Sequence, residues 1–348
     1  MNKLEIILLT NNVVLPYQNL KEIYGLKFVE LNKLYATQSI AEHGLGFLIN
    51  IYDMDDLDEK WGPKLIKKIV FDTGSTNLTY IYNLDLRGYP LYDTDFIVLS
   101  HWHYDHTGGL EAVLKRIDNP IPVICHNDSK LERYFRRSDD VKVSDLVGKS
   151  RDEIVPLLKS AKIVYQEPAD LDRISELNGK IFYAKNPYEL LNIEGLKITV
   201  TGEIPRVYEE EDFDNFLSMQ DGILKVDKIL DDKCLIIEDD KNVIVVTGCA
   251  HSGIMNTLDH VKKLTKDKLV THIIGGFHMA GKGVKTERIR ATIRYLKTFQ
   301  ENFKPLYLFP IHCSGEGFIH ELNTSRMMNT KAFGCSVGTV FDIRTGGF

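Results

Sequence analysis

Short apolar segments separated by polar and glycine-containing turns dominate the first third of the chain. The run DFIVLS at 95–100 is apolar throughout, the pattern of a strand buried on both faces. Residues 105–117 predict a loop that turns into an amphipathic helix. β-branched residues and polar or glycine ends predict further strands over 4–10, 46–52, 67–74 and 120–126.

The segment from 127 to about 192 differs from the strand-rich first third, because it is rich in charged residues and mostly helical in pattern. We interpret it as an insertion within a single domain that spans 1–348. Such an insertion serves either as a lid or oligomer contact, or simply as a solvated surface subdomain.

Strands return after residue 195, and the chain then alternates between helix and strand. Two strand-rich halves crossed by helices predict an α/β fold of two mixed β-sheets packed together and flanked by helices. The predicted strands are 196–202, 233–239, 242–248, 270–277, 306–311 and 337–343, and the predicted helices are 254–264, 286–299 and 316–328.

Composition narrows the classes of partner. The chain has 348 residues, 43% of them hydrophobic, and a formal net charge of -6. A duplex-binding protein usually carries a basic face, so this balance favours a small-molecule substrate over nucleic acid. A homo-oligomer is compatible with the sequence.

The cysteine pattern and the N-terminal residues indicate the cellular compartment. The five cysteines are widely spaced and include no C-x-x-C, which argues against a disulfide framework and favours a reducing compartment. The apolar stretch from Leu4 to Leu9 is too short to span a membrane and has no small-residue cleavage site. We therefore expect a cytoplasmic protein without a membrane segment.

The segment SHWHYDHTGG at 100–109 carries the clearest chemistry. It follows the predicted buried strand at 95–100, and catalytic residues favour loops at the ends of rigid strands. His101 and His103 are two residues apart, so both imidazoles can point the same way, and Asp105 and His106 follow as the chain turns. Imidazole and carboxylate together suit Zn, Fe or Mn. A chance cluster on a solvated loop is the alternative.

This motif, preceded by FDTG with Asp72, resembles the metallo-β-lactamase superfamily over residues 1–126 and 195–345. The resemblance implies an αββα sandwich, with one metal site at His101 and His103 and a second at Asp105 and His106. It implies that Asp72 holds the metal loop through hydrogen bonds. It also implies that His43 faces the metal cleft.

Later motifs depart from that family pattern. Glu203 is the only ligand-type side chain where a third metal-binding histidine usually follows a strand. Cys249 stands where the family usually has a bridging Asp, and His251 follows two residues later. Either of these two could bind metal. We favour His251, because a buried cysteine after a strand is often a small apolar filler.

Two histidines compete for the last ligand position. His278 and His312 each follow a predicted strand. We favour His312 as the metal ligand, because it precedes a glycine turn and a helix, as the family's final histidine often does. His278 then becomes an acid–base or supporting group, and Asp105 and His278 are the candidate catalytic residues.

The segments EHGLGFLI, TGCAHSGI, GGFHM and PIHCSG resemble one branch of the superfamily. That branch contains dihydropterin-methyl-aminobenzene-ribofuranosyl-phosphate synthases and many metal-dependent hydrolases. The resemblance implies either a condensation with loss of pyrophosphate or hydrolysis of a small ester, lactone or phosphoester. Zinc is the first expectation for one or two divalent ions, with Mn, Fe or Mg as alternatives. A flavodiiron-type redox enzyme, an RNA-processing enzyme and a non-catalytic binding module are less favoured.

Basic residues that could neutralise a substrate phosphate occur in two places. Lys282 and Lys285 lie in the glycine-containing segment after His278, for which a surface loop is the simpler interpretation. Arg133, Arg136 and Arg137 lie in the insertion, where we expect a solvated helix face.

Overall fold

The computed structural model describes residues 1–15, 27–28, 38–58, 62–212, 215–281, 283–299, 305–325 and 330–345. Within these ranges the strands are β1 (Asn2–Thr10), β2 (Lys27–Phe28), β3 (Gly46–Asp58), β4 (Gly62–Phe71), β5 (Phe96–Val98), β6 (Ile121–Cys125), β7 (Glu132–Arg136), β8 (Ile163–Gln166), β9 (Gly179–Tyr183), β10 (Tyr188–Ile193), β11 (Leu196–Val200), β12 (Phe216–Gln220), β13 (Ile223–Val226), β14 (Cys234–Glu238), β15 (Asn242–Thr247), β16 (Leu269–Gly276), β17 (Leu306–Ile311), β18 (Thr330–Ala332) and β19 (Val340–Arg344). The α-helices are α1 (Thr79–Leu86), α2 (Tyr104–Thr107), α3 (Leu110–Leu114), α4 (Arg151–Lys159), α5 (Leu171–Glu176), α6 (Ile254–Thr265), α7 (Thr286–Thr298) and α8 (Glu316–Thr324).

Two large mixed sheets form the centre of the molecule. The first has the strand order β2-β19-β1-β3-β4-β5-β6-β9, and its strands from β4 to β9 run parallel. The second has the order β10-β11-β14-β15-β16-β17-β18, and its strands from β15 to β18 run parallel.

The alternation of apolar side chains along the strands explains why the sheets pack in layers. In β1, Leu4, Ile6 and Leu8 belong to the core between the sheets, whereas Ile7 and Leu9 belong to the core under the helices. Successive strand residues point to opposite faces, so an unbroken apolar strand must be covered on both sides.

Helices cover the outer face of each sheet. Leu84 of α1 and Val113 of α3 pack on the first sheet, and Leu258 of α6 and Ile293 of α7 pack on the second. The predicted αββα sandwich of two mixed sheets flanked by helices is therefore confirmed. None of the described helices is long and apolar enough to cross a membrane.

A third, four-stranded sheet lies beside the sandwich, in the order β13-β12-β7-β8. It has its own small core, in which Tyr134 of β7 and Leu217 of β12 pack with Ile154 of α4. The prediction that 127–192 is mostly helical is wrong, because β7, β8, β9 and most of β10 lie there beside only two α-helices. The charged residues of 129–140 hid a strand, β7, in which the neighbouring residues Arg133 and Tyr134 are buried.

Most other predicted elements occur close to the expected positions. The predicted helix within 105–117 is split into α2 and α3 at Gly108 and Gly109. A Cβ atom at Gly108 would lie 1.9 Å from the carbonyl oxygen of Ser75, so only glycine permits this close approach. Of the helix predicted over 316–328, residues 326–328 lie outside the described residues.

Candidate metal centre

The candidate ligands all follow the carboxyl ends of parallel strands. His101 and His103 come after β5, Cys249 and His251 after β15, and His312 directly after β17. Side chains at such strand ends commonly form ligand sites in α/β folds. Gly248 lets the two sheets meet closely, because a Cβ atom there would lie 2.0 Å from Ser100 Oγ.

Asp72 organises the loop that carries the histidine motif. Its buried carboxylate accepts hydrogen bonds from the backbone N–H of Ser100 at 2.7 Å and from Ser100 Oγ at 2.7 Å. Nδ1 of His106 lies 2.6 Å from Asp72 Oδ2, so this nitrogen carries the proton and donates it. The opposite nitrogen, Nε2, faces the site and can bind a metal ion once its own proton leaves, and a carboxylate of this kind commonly fixes a metal-binding histidine. The supporting contacts predicted for Asp72 are present.

A first group of ligand atoms is formed by three buried histidines. His101 Nε2 and His103 Nδ1 face each other at 3.0 Å. The ring of His251 lies 4.7 Å from that of His101 and 4.8 Å from that of His103. Two nitrogens bound to one tetrahedral zinc ion lie about 3.3 Å apart, so the facing pair is near ligand geometry.

Electrostatics keep this first group neutral. Burial lowers the pKa of His103 to about 3, with Arg133 adding to the effect. Burial also lowers the pKa of His251 well below its usual value, with His278 and His103 as further causes. Among the described residues, neither ring nitrogen of His251 has a hydrogen-bond partner. Buried imidazoles without protein partners suit a bound cation, which accepts their lone pairs.

A second group contains Asp105, His106, Cys249 and His312, whose ligand atoms all lie within 4.8 Å of one another. His312 Nε2 is 3.1 Å from Asp105 Oδ2, and His106 Nε2 is 3.1 Å from Cys249 Sγ. Burial by itself would raise the pKa of Asp105, but His106 and His312 lower it, so the carboxylate is ionised. Burial lowers the pKa of His106, but Asp72 and Asp105 outweigh it and raise the value to about 9.

Cys249 belongs to both groups rather than packing as an apolar filler. It forms a ligand set with His101 and His251 as well as with Asp105, His106 and His312. The structure thus brings Cys249 and His251 to the cluster together, although the sequence interpretation favoured His251. The signal for Cys249 was its place at the family's bridging-Asp position.

His278 and Cys313 form a third group with Cys249. The two sulfur atoms are 3.3 Å apart, and the ring of His278 lies 4.3 Å from that of His251. His278 and His312 have positive φ angles of 47° and 54°. Non-glycine residues rarely adopt this conformation, which is frequent at functional sites.

The remaining predicted residues divide between the site and the rest of the protein. His43 lies at the site, with Nε2 3.4 Å from Asp105 Oδ2. Glu203 does not join the cluster, because its carboxylate pairs with His126 Nε2 at 2.9 Å. The histidine usual after this strand in the family thus has no counterpart at Glu203.

A cavity of ≈ 650 Å³ opens above these groups. Its floor includes Asp105, His251 and His312, and its wall includes Phe135 of β7 and Phe216 of β12. Ala280 and Gly281, from the glycine-containing loop after His278, also border it. Lys282 of that loop lies outside the described residues.

Arg133 ties the third sheet to the histidine loop. Its guanidinium donates to Asp227 at 2.8 Å, to Asp231 at 2.7 Å and to the carbonyl oxygen of Trp102 at 2.8 Å. Asp231 in turn accepts from the backbone N–H of Trp102 at 2.7 Å. The predicted solvated helix face for Arg133, Arg136 and Arg137 is therefore wrong. Arg133 is buried in a strand, and the other two border the cavity.

The donor set fits a metal ion. Buried imidazole, thiol and carboxylate groups converge, and two nitrogens of His251 lack protein partners among the described residues. One ion would be held by His101, His103 and His251, and a second by Asp105, His106 and His312, with Cys249 available to both. Nitrogen and sulfur ligands of this kind suit zinc.

Comparisons with known proteins agree with this architecture. Residues 67–192 match the family model of the metallo-beta-lactamase superfamily. The uncharacterized protein MJ0448 of Methanocaldococcus jannaschii is 29% identical over 307 residues, which cover 87% of this chain and 94% of that protein. The 7,8-dihydropterin-6-methyl-4-(β-D-ribofuranosyl)-aminobenzene-5′-phosphate synthase of the same organism is 28% identical over 291 residues, 80% of this chain and 85% of that protein.

A solved structure shares the fold over nearly the whole chain. Tm1679, described as a metal-dependent hydrolase of the β-lactamase superfamily, superposes with a TM-score of 0.62 at 17% identity and covers 98% of this chain and 99% of its own. Residues 67–192 therefore match the metallo-β-lactamase superfamily, and the chain as a whole has the fold of Tm1679.

Proposed function

We propose that this protein is a metal-dependent enzyme that joins two small molecules with loss of pyrophosphate, the condensation that its resemblance to the synthase branch implies. The observation that carries the proposal is the convergence of buried metal-ligand groups on the floor of one cavity. The 28% identity to the synthase over most of both chains supports the choice of reaction.

In the proposed reaction, the amine nitrogen of a phosphorylated aminobenzene riboside attacks the methylene carbon of a dihydropterin diphosphate. A carbon–nitrogen bond forms, the carbon–oxygen bond to diphosphate breaks, and its electron pair leaves with pyrophosphate. The amine nitrogen then loses a proton. A bound divalent ion would supply Lewis acidity that stabilises the charge on the leaving diphosphate.

The chain's own residues have separate tasks in this scheme. His101, His103, His106, His251 and His312, with Asp105 and Cys249, would hold the ion or ions. Asp105 keeps its negative charge in the buried site because of His106 and His312, so it also orients these two rings. His278 borders the cavity beside His251 and is the candidate acceptor for the proton that the amine nitrogen loses.

Hydrolysis is the second candidate, and a specific feature favours it. Two ligand groups share Cys249 and open to the same cavity, the arrangement in which paired metal ions activate water in many hydrolases. An ester, lactone or phosphoester would be the substrate. The hydrolase name of Tm1679 is in line with this candidate, although its likeness to this chain concerns the fold.

The decisive experiment measures pyrophosphate. Metal-loaded protein is incubated with the dihydropterin diphosphate, with the aminobenzene ribotide, and with both. Condensation releases pyrophosphate only when both are present. Release from the diphosphate alone indicates hydrolysis, and no release by a protein with full metal content overturns the condensation proposal.

His101→Ala tests the site in the same assay. We expect this variant to lose metal and turnover together while its circular dichroism spectrum is unchanged. An unchanged metal content in His101→Ala would show that the ligand assignment is wrong. The matched control is His272→Gln, since His272 lies in β16 and stacks on Tyr307 of the neighbouring strand, away from the three ligand groups.

A further inference from the structure

Two aromatic side chains from the third sheet stand directly over the histidine ligands. Phe135 of β7 and Phe216 of β12 are cross-strand partners, and their rings lie 5.4 Å apart at 87°. Directly opposed residues on neighbouring strands share one face of a sheet, so the register itself builds this pair. We call Phe135 and Phe216 the aromatic pair.

The aromatic pair contacts the candidate metal ligands. The ring of His103 lies 5.2 Å from Phe135 and 4.9 Å from Phe216, and the ring of His251 lies 5.1 Å from Phe216. Both phenyl rings are only partly buried, because they form a wall of the cavity. A flat ligand ring that enters the cavity therefore meets an apolar aromatic surface next to the ligand histidines.

A fixed positive charge borders the same cavity. Arg136 follows Phe135, and although consecutive strand residues point to opposite faces, β7 ends at Arg136 and both side chains reach the cavity. Its Nη1 donates to the carbonyl oxygen of Val141 at 3.3 Å and its Nη2 to Asn215 Oδ1 at 3.2 Å. Among the described residues, its buried Nε has no hydrogen-bond partner.

The only carboxylate that the structure pairs with Arg136 among the described residues is Asp139, at 3.7 Å. Asp139 is 73% exposed at its side chain, so water screens the pair. The guanidinium therefore keeps most of its attraction for an anion that approaches through the cavity. A guanidinium has five N–H groups, so one that is held by two acceptors through its Nη atoms keeps further Nη N–H groups for a phosphate.

We propose that the aromatic pair and Arg136 form the substrate-recognition surface of this site, and that they select a planar aromatic or heteroaromatic ring bearing a phosphate group. The ring stacks on the aromatic pair, and the phosphate binds Arg136. This proposal assigns residues to the recognition of the substrate class in the proposed function, and it rests on that function for the reaction. The binding itself does not depend on which reaction follows.

The buried network around Arg133 gives this surface a fixed position. Arg133 and Phe135 lie on the same strand, and Arg133 holds the carbonyl oxygen of Trp102, between His101 and His103. The recognition surface is therefore held in a fixed position relative to the loop that carries His101 and His103. Sites whose supporting side chains are locked in this way bind with defined geometry.

Equilibrium binding to the zinc-loaded protein tests the proposal, with phenyl phosphate and inorganic phosphate as probes. Phe135→Leu should weaken phenyl phosphate about tenfold and inorganic phosphate little, because only the former stacks. Arg136→Gln should weaken both probes by about tenfold or more. The matched controls are Phe182→Leu, an exposed aromatic outside the cavity, and Arg151→Gln, an exposed arginine paired with Glu132.

Metal content is measured for every variant, so that loss of the ion is not mistaken for loss of the surface. Unchanged affinities in Phe135→Leu and Arg136→Gln proteins with full metal content overturn the proposal. Equal weakening of both probes by Phe135→Leu also overturns it, because stacking would then not be the cause. Binding that follows the expected pattern without any turnover leaves this surface standing and removes the proposed function instead.

Discussion

At the scale of single residues, Asp72 determines how the histidine loop is presented. One carboxylate accepts from the backbone and the hydroxyl of Ser100 and from His106. All three partners are buried, so no water can replace a lost acceptor. The orientation of His106 therefore depends on a side chain that does not itself reach the cluster.

Asp72→Asn should lower metal affinity by about 10–100-fold. Three groups donate to the carboxylate, and the NH₂ group of asparagine would face at least one of them without being able to accept its hydrogen bond. Competition with a chelator of known affinity measures the change. Asp85→Asn is the control, since Asp85 pairs with Arg116 at the surface. Equal affinities of wild type and Asp72→Asn would show that the ligand histidines hold their positions without this carboxylate.

The contact between Cys249 and Cys313 makes a second residue-scale prediction. Their sulfur atoms are 3.3 Å apart, and closing to about 2 Å forms a disulfide. We expect hydrogen peroxide to oxidise the metal-free protein at this pair, two thiols and one peroxide giving a disulfide and two waters. Metal binding should fall, because Cys249 is in all three ligand groups, and dithiothreitol should restore it.

Peptide mapping identifies the oxidised pair, and plasma mass spectrometry measures bound metal. Cys313→Ser should not form this disulfide, whereas Cys335→Ser, which changes a buried cysteine outside the ligand groups, should behave as wild type. Equal, reversible loss of metal in Cys313→Ser would contradict the prediction.

From the residues alone, the site can be predicted only where they are close together in the chain, whereas His251 and His312 are predicted with the help of the family resemblance. His101, His103, Asp105 and His106 lie within six positions, and their order identifies a ligand loop. Cys249 is recognised as a candidate from its place at the family's bridging-Asp position. The buried network of Arg133, Asp227 and Asp231 is not identified, because ion pairs between distant segments leave no periodic signal.

At the scale of elements, the third sheet depends on the charges inside it. Arg133 is buried with two aspartates, and the three residues belong to β7 and the segment after β13. Breaking one partner of such a network leaves uncompensated buried charge, which costs far more than the loss of a surface pair.

Arg133→Met should therefore lower the free energy of unfolding by about 3–5 kcal/mol. Urea denaturation of the metal-free protein measures it, and Arg151→Met, an exposed arginine of α4, is expected to change little. A combined Arg133→Met, Asp227→Asn, Asp231→Asn variant should regain part of the loss. No recovery would show that packing of the guanidinium, rather than its charge, stabilises the sheet.

The central strands of the sandwich can be predicted because most of their residues are apolar, as in β14 and β17. The sandwich strands β9 and β10 are missed, because they lie within or at the end of the charged segment 127–192. The third sheet is missed as well, because β7 carries glutamate and arginine within a strand of five residues. Arg133 is buried by ion pairs, Arg136 borders the cavity and Glu132 pairs with Arg151 near the surface, so the polarity of this segment indicated a solvated helix.

At the scale of the whole molecule, pH should act on stability through buried histidines. Burial lowers the pKa of His272 in β16 to about 3. Between its usual value of 6.5 and about 3, the unfolded chain binds this proton and the folded chain does not. Stability is therefore full above that window and falls as pH decreases, by about 1.4 kcal/mol per pH unit for this one group.

His272→Leu and His272→Gln should both show a shallower loss of stability between about pH 7 and about pH 5 than wild type. The two variants differ in packing and polarity but share the loss of the titrating ring. Urea denaturation at several pH values, with a chelator present, gives the slopes. Parallel slopes in wild type and both variants would exclude His272 as a cause of acid sensitivity.

The pairing of β1 with β19 has a consequence for biosynthesis. Ile6 lies opposite Phe341, so β1 leaves the ribosome long before the strand that covers this edge of it. The ligands are spread in the same way, since His101 is made long before His312. Until β19 is made, the nascent chain exposes an uncovered strand edge, and until His312 is made it holds only part of its ligand set. We therefore expect chaperones to bind during translation and the metal to be loaded after it.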